Sequence, residues 1–555
     1  MKKKLIIASL GILPWVASYA QQDTTLVRTV VVENEYNPTV MDASKINVLP
    51  KVEEPTVPKT HIDYSTSIRP VASWNYQAMS PIVKDWTADA VYRGYLRAGY
   101  GNKGNVDVKL GYLWDITKED RLNVAASLDG WNGNLASFNN QDWESRLYNT
   151  KIGLDYRHSF KKVDFLLGGS YRSQVFNYVD NKSYVVDEKY YGETEAFSDK
   201  QHQNFIHGYM GFSSTDNEMP IQFQAEVGLN SFKEKYPVMY HDDANKETNF
   251  YLSGDVWKQF TNDYCFGLNV RFDNYAYSSD WADDWQAVDL NPYFQAESDD
   301  WKVRLGAHID WKGGEEDKMY VSPDVKAEYV FSDSYVLFAK VGGGRQLSSL
   351  YELADIAPYF YEHYVLPTYM KLDAALGLKA SPTNGWWFLL SGGYQIREND
   401  VCLKLGEGYP LWHARNIYGK TNVFYGTVEL KHDYKDLFDF SLKGTYYNWK
   451  WENTAWIGGD LTDSALSLKP ELEVNAEVGF KPVKGLRVDI GYEYVKRTSD
   501  IYDPINNLYA GADYALLKNL SIFAKFNNLL NKEYMASYAY PAQKLNFLGG
   551  VSLRF

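Results

Sequence analysis

The residues that could bind a metal or catalyse a reaction are scattered along this chain rather than grouped. It holds nine histidines and two cysteines, and no HExxH, GxSxG, phosphate-binding-loop or paired-cysteine zinc motif occurs. His202 and His207 lie an odd number of positions apart, which on a strand directs them to opposite faces, so they are poor co-ligands. The sequence therefore predicts a protein that is not an enzyme and has no catalytic residue, metal site or cofactor.

Carboxylates cluster in segments that resemble loops, namely Asp242 and Asp243, Asp283 and Asp284, and Glu315–Asp317. A calcium loop needs oxygens at set positions and a turn-forming glycine, and these segments lack that pattern, which favours solvated loop charge. The whole chain is acidic, with a formal net charge of -14. Because phosphate binding needs a basic face, this charge argues against nucleic acid as a partner.

Aromatic residues make up 16% of the chain, with 46 tyrosines and 17 tryptophans. Aromatic girdles at the two interfaces of a membrane barrel would account for this excess. A Tyr-rich soluble sandwich would do so too, and composition alone leaves both open. Long segments carry aromatic side chains that could contact a ligand or a partner, and these are Trp281, Trp285, Tyr359 and Tyr361. Packing of the loops on one another is the plainer interpretation.

The first 20 residues have the layout of a secretory signal peptide. Lys2–Lys4 precede an apolar run over Leu5–Val16, and small residues precede a cleavage site expected between Ala20 and Gln21. Residues 21–91 contain six prolines and little periodicity. We interpret them as an extended periplasmic or lumenal arm without a compact core, because a short segment interrupted by prolines would bury little surface.

From about Tyr92 to the end, the sequence falls into segments in which apolar and polar residues alternate, as expected for strands. In one such segment the apolar face holds Val303, Leu305, Ala307, Ile309 and Trp311, and the other face holds Lys302, Arg304, His308 and Asp310. Soluble sandwiches show the same alternation, so alternation by itself does not identify a membrane barrel. Pro292, Pro323 and Pro470 fall inside or at the start of predicted strands, where a missing N–H is tolerated only at ends or bulges.

The connections between these segments alternate between short and long, except that three of the links expected to be long are short, near Asn102, Gly313 and Asp500. The short ones carry Asp, Asn, Ser or Gly, which form turns readily, as at 298–300 and 381–384. Outer-membrane barrels require this alternation of periplasmic turns and extracellular loops, whereas a sandwich or propeller does not. The sequence thus predicts an all-β, antiparallel up-and-down transmembrane barrel of about 22 strands over residues 92–555. Cys265 and Cys402 would lie at opposite ends of it as free thiols.

The last residues carry a resemblance to a known family. From Leu520 the chain reads LSIFAKFNNLLNKEYMASYAYPAQKLNFLGGVSLRF, which resembles the last two strands of the TonB-dependent receptor barrel. The final Phe555 resembles the sorting signal that barrel-assembly machinery reads. The stretch over 30–39, together with 42–47, is similar to a Bacteroidetes subgroup of these receptors. The resemblance implies a 22-stranded barrel in the outer membrane of a Gram-negative bacterium.

The chain departs from that family between Gln21 and Tyr92, where no motif of the usual plug domain is found. A barrel of this width normally encloses a plug, so the arm, inward-folded loops or a partner protein must close the lumen. A short segment stands where a TonB box would be, and it consists of Asp23, Thr24, Thr25, Leu26 and Val27. It could add a strand to TonB, or it is an unstructured leader.

Three functional hypotheses follow. The first is a TonB-dependent receptor-like barrel in the outer membrane that transports or binds a bulky solute. The second is a plugless accessory or scaffold barrel in a larger outer-membrane assembly, with an outer-membrane or lipoprotein partner. The third is a secreted soluble β-protein. The predicted lumen residues Arg304, Asp489 and Glu493 have mixed polarity, and they do not identify a solute.

Overall fold

The computed structural model describes residues 92–555 with gaps at 137–141, 181–199, 217, 237–243, 262, 279–281, 315, 333, 357, 361–364, 406–410, 413, 436, 454–464 and 538–539. Residues 1–91, with the expected signal peptide, arm and TonB-box-like segment, lie outside the described residues. The predictions made for that part of the chain therefore remain predictions.

The described chain forms 22 barrel strands. The first eleven are β1 Gly94–Gly101, β2 Val106–Asp115, β3 Asp120–Ala136, β4 Asp142–Ser159, β5 Val163–Asn177, β6 Lys200–Ser214, β7 Gln222–Glu234, β8 Lys246–Thr261, β9 Tyr264–Tyr277, β10 Trp285–Glu297 and β11 Trp301–Gly313. The others are β12 Lys318–Ser332, β13 Tyr335–Arg345, β14 Tyr369–Ala380, β15 Trp386–Leu405, β16 Ala414–Tyr434, β17 Phe438–Asn453, β18 Pro470–Val483, β19 Leu486–Arg497, β20 Ile505–Ala515, β21 Leu520–Asn527 and β22 Asn546–Arg554.

Each strand pairs antiparallel with the strands before and after it in the sequence, and the ring closes between β1 and β22. At the closing seam Ala98 of β1 lies opposite Val108 of β2 on one side and Val551 of β22 on the other. The predicted fold class, an up-and-down barrel of about 22 strands, is confirmed. A closed ring leaves no unpaired strand edge, which is what spanning a bilayer requires.

Short turns lie at one end of the barrel and the long connections at the other, as the sequence predicted, with short links also at the outer end after β1 and β11. The turns at 160–162 and 484–485 are typical of one end, which is the periplasmic end by the rule for outer-membrane barrels. Phe555 lies at the same end, where its amide donates to the Gly94 carbonyl at 3.0 Å. The other end bears the long connections, in one of which lies the α-helix α1, Leu350–Ile356.

The outward face of the strands forms an apolar belt. On β8 the exposed side chains Phe250, Leu252, Val256 and Phe260 point outward, while Tyr251 between them lines the lumen. This stretch of 11 residues on a tilted strand matches the length needed to cross the hydrocarbon layer. The belt and the closed ring place the protein in the outer membrane. Among the described helices, none is both long and apolar enough to cross a bilayer.

The prolines and cysteines occupy positions that the barrel tolerates. The ladder between β10 and β11 runs from the pair Leu290 and Ile309 to the pair Tyr293 and Gly306, with no pairing at Pro292 between them. This gap is the expected consequence of a residue without an N–H. Cys265 lies near the periplasmic end of β9 and Cys402 near the outer end of β15, and both are free thiols, as predicted.

Candidate solute chamber and its roof

The outer mouth of the barrel is crossed by its own loops. The backbone of Val179–Asp180, in the connection after β5, pairs antiparallel with Leu411–Trp412, in the connection after β15. These connections rise from nearly opposite walls of the ring, so the pairing spans the lumen. Inward-folded loops, one of the three closures considered from the sequence, are therefore present at this mouth.

Stacked aromatic side chains join further loops at the centre of the mouth. Tyr359, from the connection after β13, stacks face to face on Tyr540, from the connection after β21, with ring centroids 3.5 Å apart. Trp143 meets the Tyr540 ring edge-on at 5.3 Å. The Tyr178 hydroxyl donates to the Phe360 carbonyl at 2.8 Å, and the Val179 amide donates to the Tyr540 hydroxyl at 3.2 Å. Three loops and the outer end of β4 thus share one aromatic core.

Beneath this core lies the roof segment, residues 346–356, which contains α1. The chain enters it through Gly344, whose φ of 112° favours glycine. The Ser349 hydroxyl accepts from the Glu352 amide at 3.0 Å, and the Glu352 carboxylate accepts from the Ser348 amide at 2.6 Å. These reciprocal bonds satisfy N–H groups that the first helical turn leaves unpaired, so α1 is short but well capped.

Two polar contacts hold the roof segment against the wall. Glu247 of β8 accepts from the Leu350 amide at 2.7 Å at the start of α1, and burial raises the pKa of Glu247 to about 8. Arg172 of β5 forms an ion pair with Asp355 near the end of α1. The Arg172 guanidinium also lies 3.6 Å from the centre of the Phe205 ring. Both carboxylates are shielded from solvent, so each contact lies in surroundings where an unpaired charge would be costly.

Apolar packing supplies the larger part of the attachment. Leu350, Leu353 and Phe360 are fully buried, and they share a cluster with Phe205 and Phe232 of the wall. Burial of such side chains contributes about 1.5–3 kcal/mol each. The opposite side of α1 carries Tyr351, Glu352 and Asp355, which line the space below. The helix is therefore apolar toward the aromatic core and polar toward the lumen.

Below the roof lies a chamber of about 1120 Å³. Its lining includes eleven carboxylates, namely Asp155, Glu226, Glu247, Asp255, Asp273, Asp289, Asp310, Asp324, Glu352, Asp355 and Asp373. It also includes six basic side chains, namely Lys109, Lys151, Arg271, Lys326, Lys340 and Arg345. The mixed polarity seen in the sequence thus becomes an acidic excess where the chamber forms.

The basic side chains nearest the roof are held in a buried ionic network. The Arg345 guanidinium, at the end of β13, bridges Asp273 at 2.8 Å and Asp310 at 3.2 Å. Asp273 also accepts two bonds from Arg271, at 2.9 Å each, and one from Asn249 at 3.1 Å. Because these cations are already paired with carboxylates, they fix the shape of the wall.

The roof contributes one carboxyl group with a perturbed proton affinity. Burial raises the pKa of Glu352 from its usual 4.5 to about 7. The bonds from Ser348 and Ser349 and the charge of Arg271 oppose this rise, while the charge of Asp273 adds to it. Within the described ranges, no group of three or more His, Cys, Asp or Glu side chains is arranged to hold a metal ion.

The candidate residues chosen from the sequence fall in different places. Trp285 is a wall residue at the start of β10, stacked on Tyr275 with centroids 4.2 Å apart. Tyr359 belongs to the aromatic core described above. Phe555 stacks on Tyr112 at the periplasmic end, with centroids 6.0 Å apart. Trp281 and Tyr361, and the cleavage site and TonB-box-like segment, lie outside the described residues.

Sequence reasoning missed the residues that build the roof. Ser349 and Glu352 have the Ser-x-x-Glu spacing of a capping box, a signal that could have identified α1 within a segment taken as an aromatic loop. Arg172, Glu247 and Asp355 carry no such signal. Each is an ordinary charged residue until the barrel closes and brings the strands and the loop together.

Comparisons with known proteins agree on the fold. No family model and no curated protein matches the chain. Among solved structures, the ferric enterobactin receptor PfeA from Pseudomonas aeruginosa is 11% identical with a TM-score of 0.63, covering 84% of this chain and 81% of that one. The ferric-catecholate import receptor Fiu from E. coli K12 is 11% identical with a TM-score of 0.60, covering 84% and 82%. The FrpB iron transporter from Neisseria meningitidis is 10% identical with a TM-score of 0.63, covering 84% and 82%.

These neighbours are named as import receptors and transporters, not as enzymes. Together with the strand count and the apolar belt, they define the class of this protein. It is an outer-membrane β-barrel with the 22-stranded fold of TonB-dependent receptors. At 10% to 11% identity the likeness concerns the fold, so the solute and the energy source have to be argued from this chain.

Proposed function

We propose that this protein is a receptor-like outer-membrane barrel that binds and transports a bulky solute through the chamber beneath its roof. The observation that carries the proposal is a chamber of about 1120 Å³, large enough for a drug-sized molecule, enclosed by a wall of receptor type and covered by loops of the same chain. A barrel that served only as a scaffold would have no need of a polar chamber with an ordered, capped roof.

The excess of acidic side chains in the lining predicts a charge selectivity that can be measured. Rings of carboxylates favour cations over anions in a pore, so a bulky organic cation should enter more readily than an anion of the same size. Cells with and without the protein would be compared for uptake of two fluorescent dyes, matched in size and opposite in charge. Equal uptake of both dyes by the two strains would contradict the proposal.

We propose TonB as the energy source, with Asp23–Val27 as its contact. The support is the position of this segment directly after the expected signal peptide of a receptor-type barrel. Deletion of residues 23–27 and deletion of TonB should each reduce uptake to the same extent. The two deletions together should reduce uptake no further than either one alone. Uptake that survives both deletions would show that the segment is only a leader.

The remaining predictions concern biogenesis and closure. We propose that residues 1–20 are removed on export and that Phe555 directs assembly by the barrel-assembly machinery. We propose that the arm, residues 21–91, contributes to closing the lumen from the periplasmic side. Single-channel conductance measured before and after deletion of residues 21–90 tests the last point. A stopper predicts a larger conductance after deletion, and an unchanged conductance would leave closure to the roof alone.

A further inference from the structure

The outer surface of the wall formed by β6–β8 carries a row of basic side chains on the extracellular side of the apolar belt. Lys233 of β7 lies directly opposite Lys246 of β8 in the strand register. Both lysines are exposed. Asn204 of β6 lies next to Lys233 in the same row. Lys235 continues the basic surface at the next position outward.

This arrangement is unfavourable without a counter-charge. Side chains directly opposite on neighbouring strands lie about 5 Å apart at Cβ, and like charges at such positions are destabilising. The adjacent carboxylates Glu234 and Glu247 cannot serve, because each points into the lumen and is only 2% exposed. Within the described part of the chain, neither Lys233 nor Lys246 takes part in an ion pair.

Two other lysines at the same end of the barrel have a carboxylate partner. Lys420 pairs with Glu452 at 3.0 Å, and Lys318 pairs with Glu316 at 2.7 Å. Both pairs are solvent-exposed, as the two lysines of the row are. The row on β7 and β8 therefore differs from these two pairs in charge balance, not in exposure.

The row lies at the height of the lipid head groups. The outermost apolar residue of β8 is Phe250, and Lys246 lies four positions beyond it, about 13 Å along the strand at about 3.3 Å per residue. One row nearer the belt, Tyr171 of β5 and Ile206 of β6 are paired. Tyrosine is typical of the membrane interface, so the lysines above it reach the head-group region of the outer leaflet.

We propose that Lys233 and Lys246 bind the phosphate of an outer-leaflet lipid head group, with Asn204 as a third donor. The Tyr171 hydroxyl donates to Asn204 Oδ1 at 2.6 Å, which leaves the Asn204 Nδ2 group to donate to a phosphate oxygen. Two ammonium groups and one amide then surround one anion with charge-assisted bonds. The acyl chains of that lipid lie on Phe250 and Leu229 below. This site is on the outer face of the wall and is independent of the proposed transport.

Binding is tested on the full mature chain, purified in detergent and titrated with lipid A while native mass spectrometry measures the bound fraction. Lys233→Gln with Lys246→Gln should weaken binding about 30-fold, at about fivefold per lysine. Lys420→Gln with Lys318→Gln removes the same charge from neutralised positions and should change binding less than about twofold. Equal loss in the two double variants would overturn the proposal.

Two further measurements identify the ligand chemistry. Dephosphorylated lipid A, which keeps the acyl chains, should bind as weakly to the native chain as lipid A binds to the Lys233→Gln, Lys246→Gln variant. If it binds as well as lipid A, or if equimolar inorganic phosphate displaces lipid A, the proposal is wrong. Lys233→Arg with Lys246→Arg should retain binding. Heat-modifiable gel migration of every variant establishes that the barrel is folded, so loss of binding reports on the site.

Discussion

The inner and outer faces of strands β7 and β8 carry opposite charges on neighbouring residues. Lys233 and Lys246 point to the outer surface, while Glu234 and Glu247 point to the lumen. In the sequence each Lys-Glu pair is neutral, and the pleat of the strand separates the two charges by the thickness of the wall. On the lumen side, a buried carboxylate needs a hydrogen-bond or ionic partner and so contributes to the stability of the fold. On the outer side, an exposed lysine can bind a molecule that lies beside the barrel.

The largest effect is expected where the inner face holds the roof. Asp355→Asn should destabilise docking of the roof segment by about 3–5 kcal/mol, because it leaves the Arg172 guanidinium shielded and without its carboxylate. Hydrogen exchange of the α1 amides in nanodiscs measures the change. Glu452→Gln, which removes the partner of exposed Lys420, should cost no more than about 1 kcal/mol. Unchanged protection of α1 in Asp355→Asn would show that loss of an ion pair costs no more on the inner face than on the outer face.

A smaller effect is expected from pH. The docked roof binds the Glu352 proton more tightly than an undocked one, since the pKa is raised from 4.5 to about 7. Docking should therefore be most stable below pH 4.5 and should weaken as the pH rises through 7. Protection factors of α1, corrected for intrinsic exchange, should fall between pH 5 and pH 8.

Glu352→Gln is the control for this titration. It should remove only part of the pH dependence, because burial also raises the pKa of Glu247, which accepts from the Leu350 amide of α1, to about 8. The groups that face Glu352 are Glu247 of β8 and Asp273 and Arg271 of β9, together with the bonds from Ser348 and Ser349. Protection that increases with pH would mean that another of these groups dominates the titration.

The helix cap is expected to stabilise docking of the roof segment by about 1 kcal/mol. Ser349→Ala removes the hydroxyl that accepts from the Glu352 amide, and loss of such a cap costs about 0.5–2 kcal/mol. Ser348→Ala is the matched control, because Ser348 contributes its backbone amide to the cap and its hydroxyl bonds only to the Gln346 carbonyl nearby. Equal loss of α1 protection in the two variants would show that the cap does not determine roof stability.

The smallest effect should have the opposite sign. Lys246→Gln relieves repulsion from Lys233 and should stabilise the barrel by about 0.2–1 kcal/mol in bilayers of neutral lipid. Glu247→Ala, one residue further on, should destabilise it, because the buried Leu350 amide loses its acceptor. Urea unfolding in vesicles measures both. Destabilisation by Lys246→Gln in neutral lipid would show that Lys246 has a stabilising partner within the protein. Charged residues on the outer face would then stabilise the fold in the same way as those on the inner face.

Much of the fold could be predicted from the sequence. Alternation along segments such as 301–311 defines strands, and turn residues at 298–300 and 484–485 define one end of the barrel. The roof could be predicted only in part. Ser349 and Glu352 have a local capping pattern, whereas Glu247 lies 103 residues before the amide that it accepts from. Contacts of that separation depend on which strands become neighbours, and local patterns do not contain that information.

The sequence by itself determined the strands, their turns and the two faces of each strand, because these follow from a period of two residues and from local turn chemistry. The tertiary structure alone decided that loops from opposite walls meet over the mouth, that α1 docks on Arg172 and Glu247, and that carboxylates from many strands gather in one chamber. The physical reason is burial. A charge or an aromatic ring acquires its energetic role from the neighbours that exclude water around it, and only closure of the barrel brings those neighbours together.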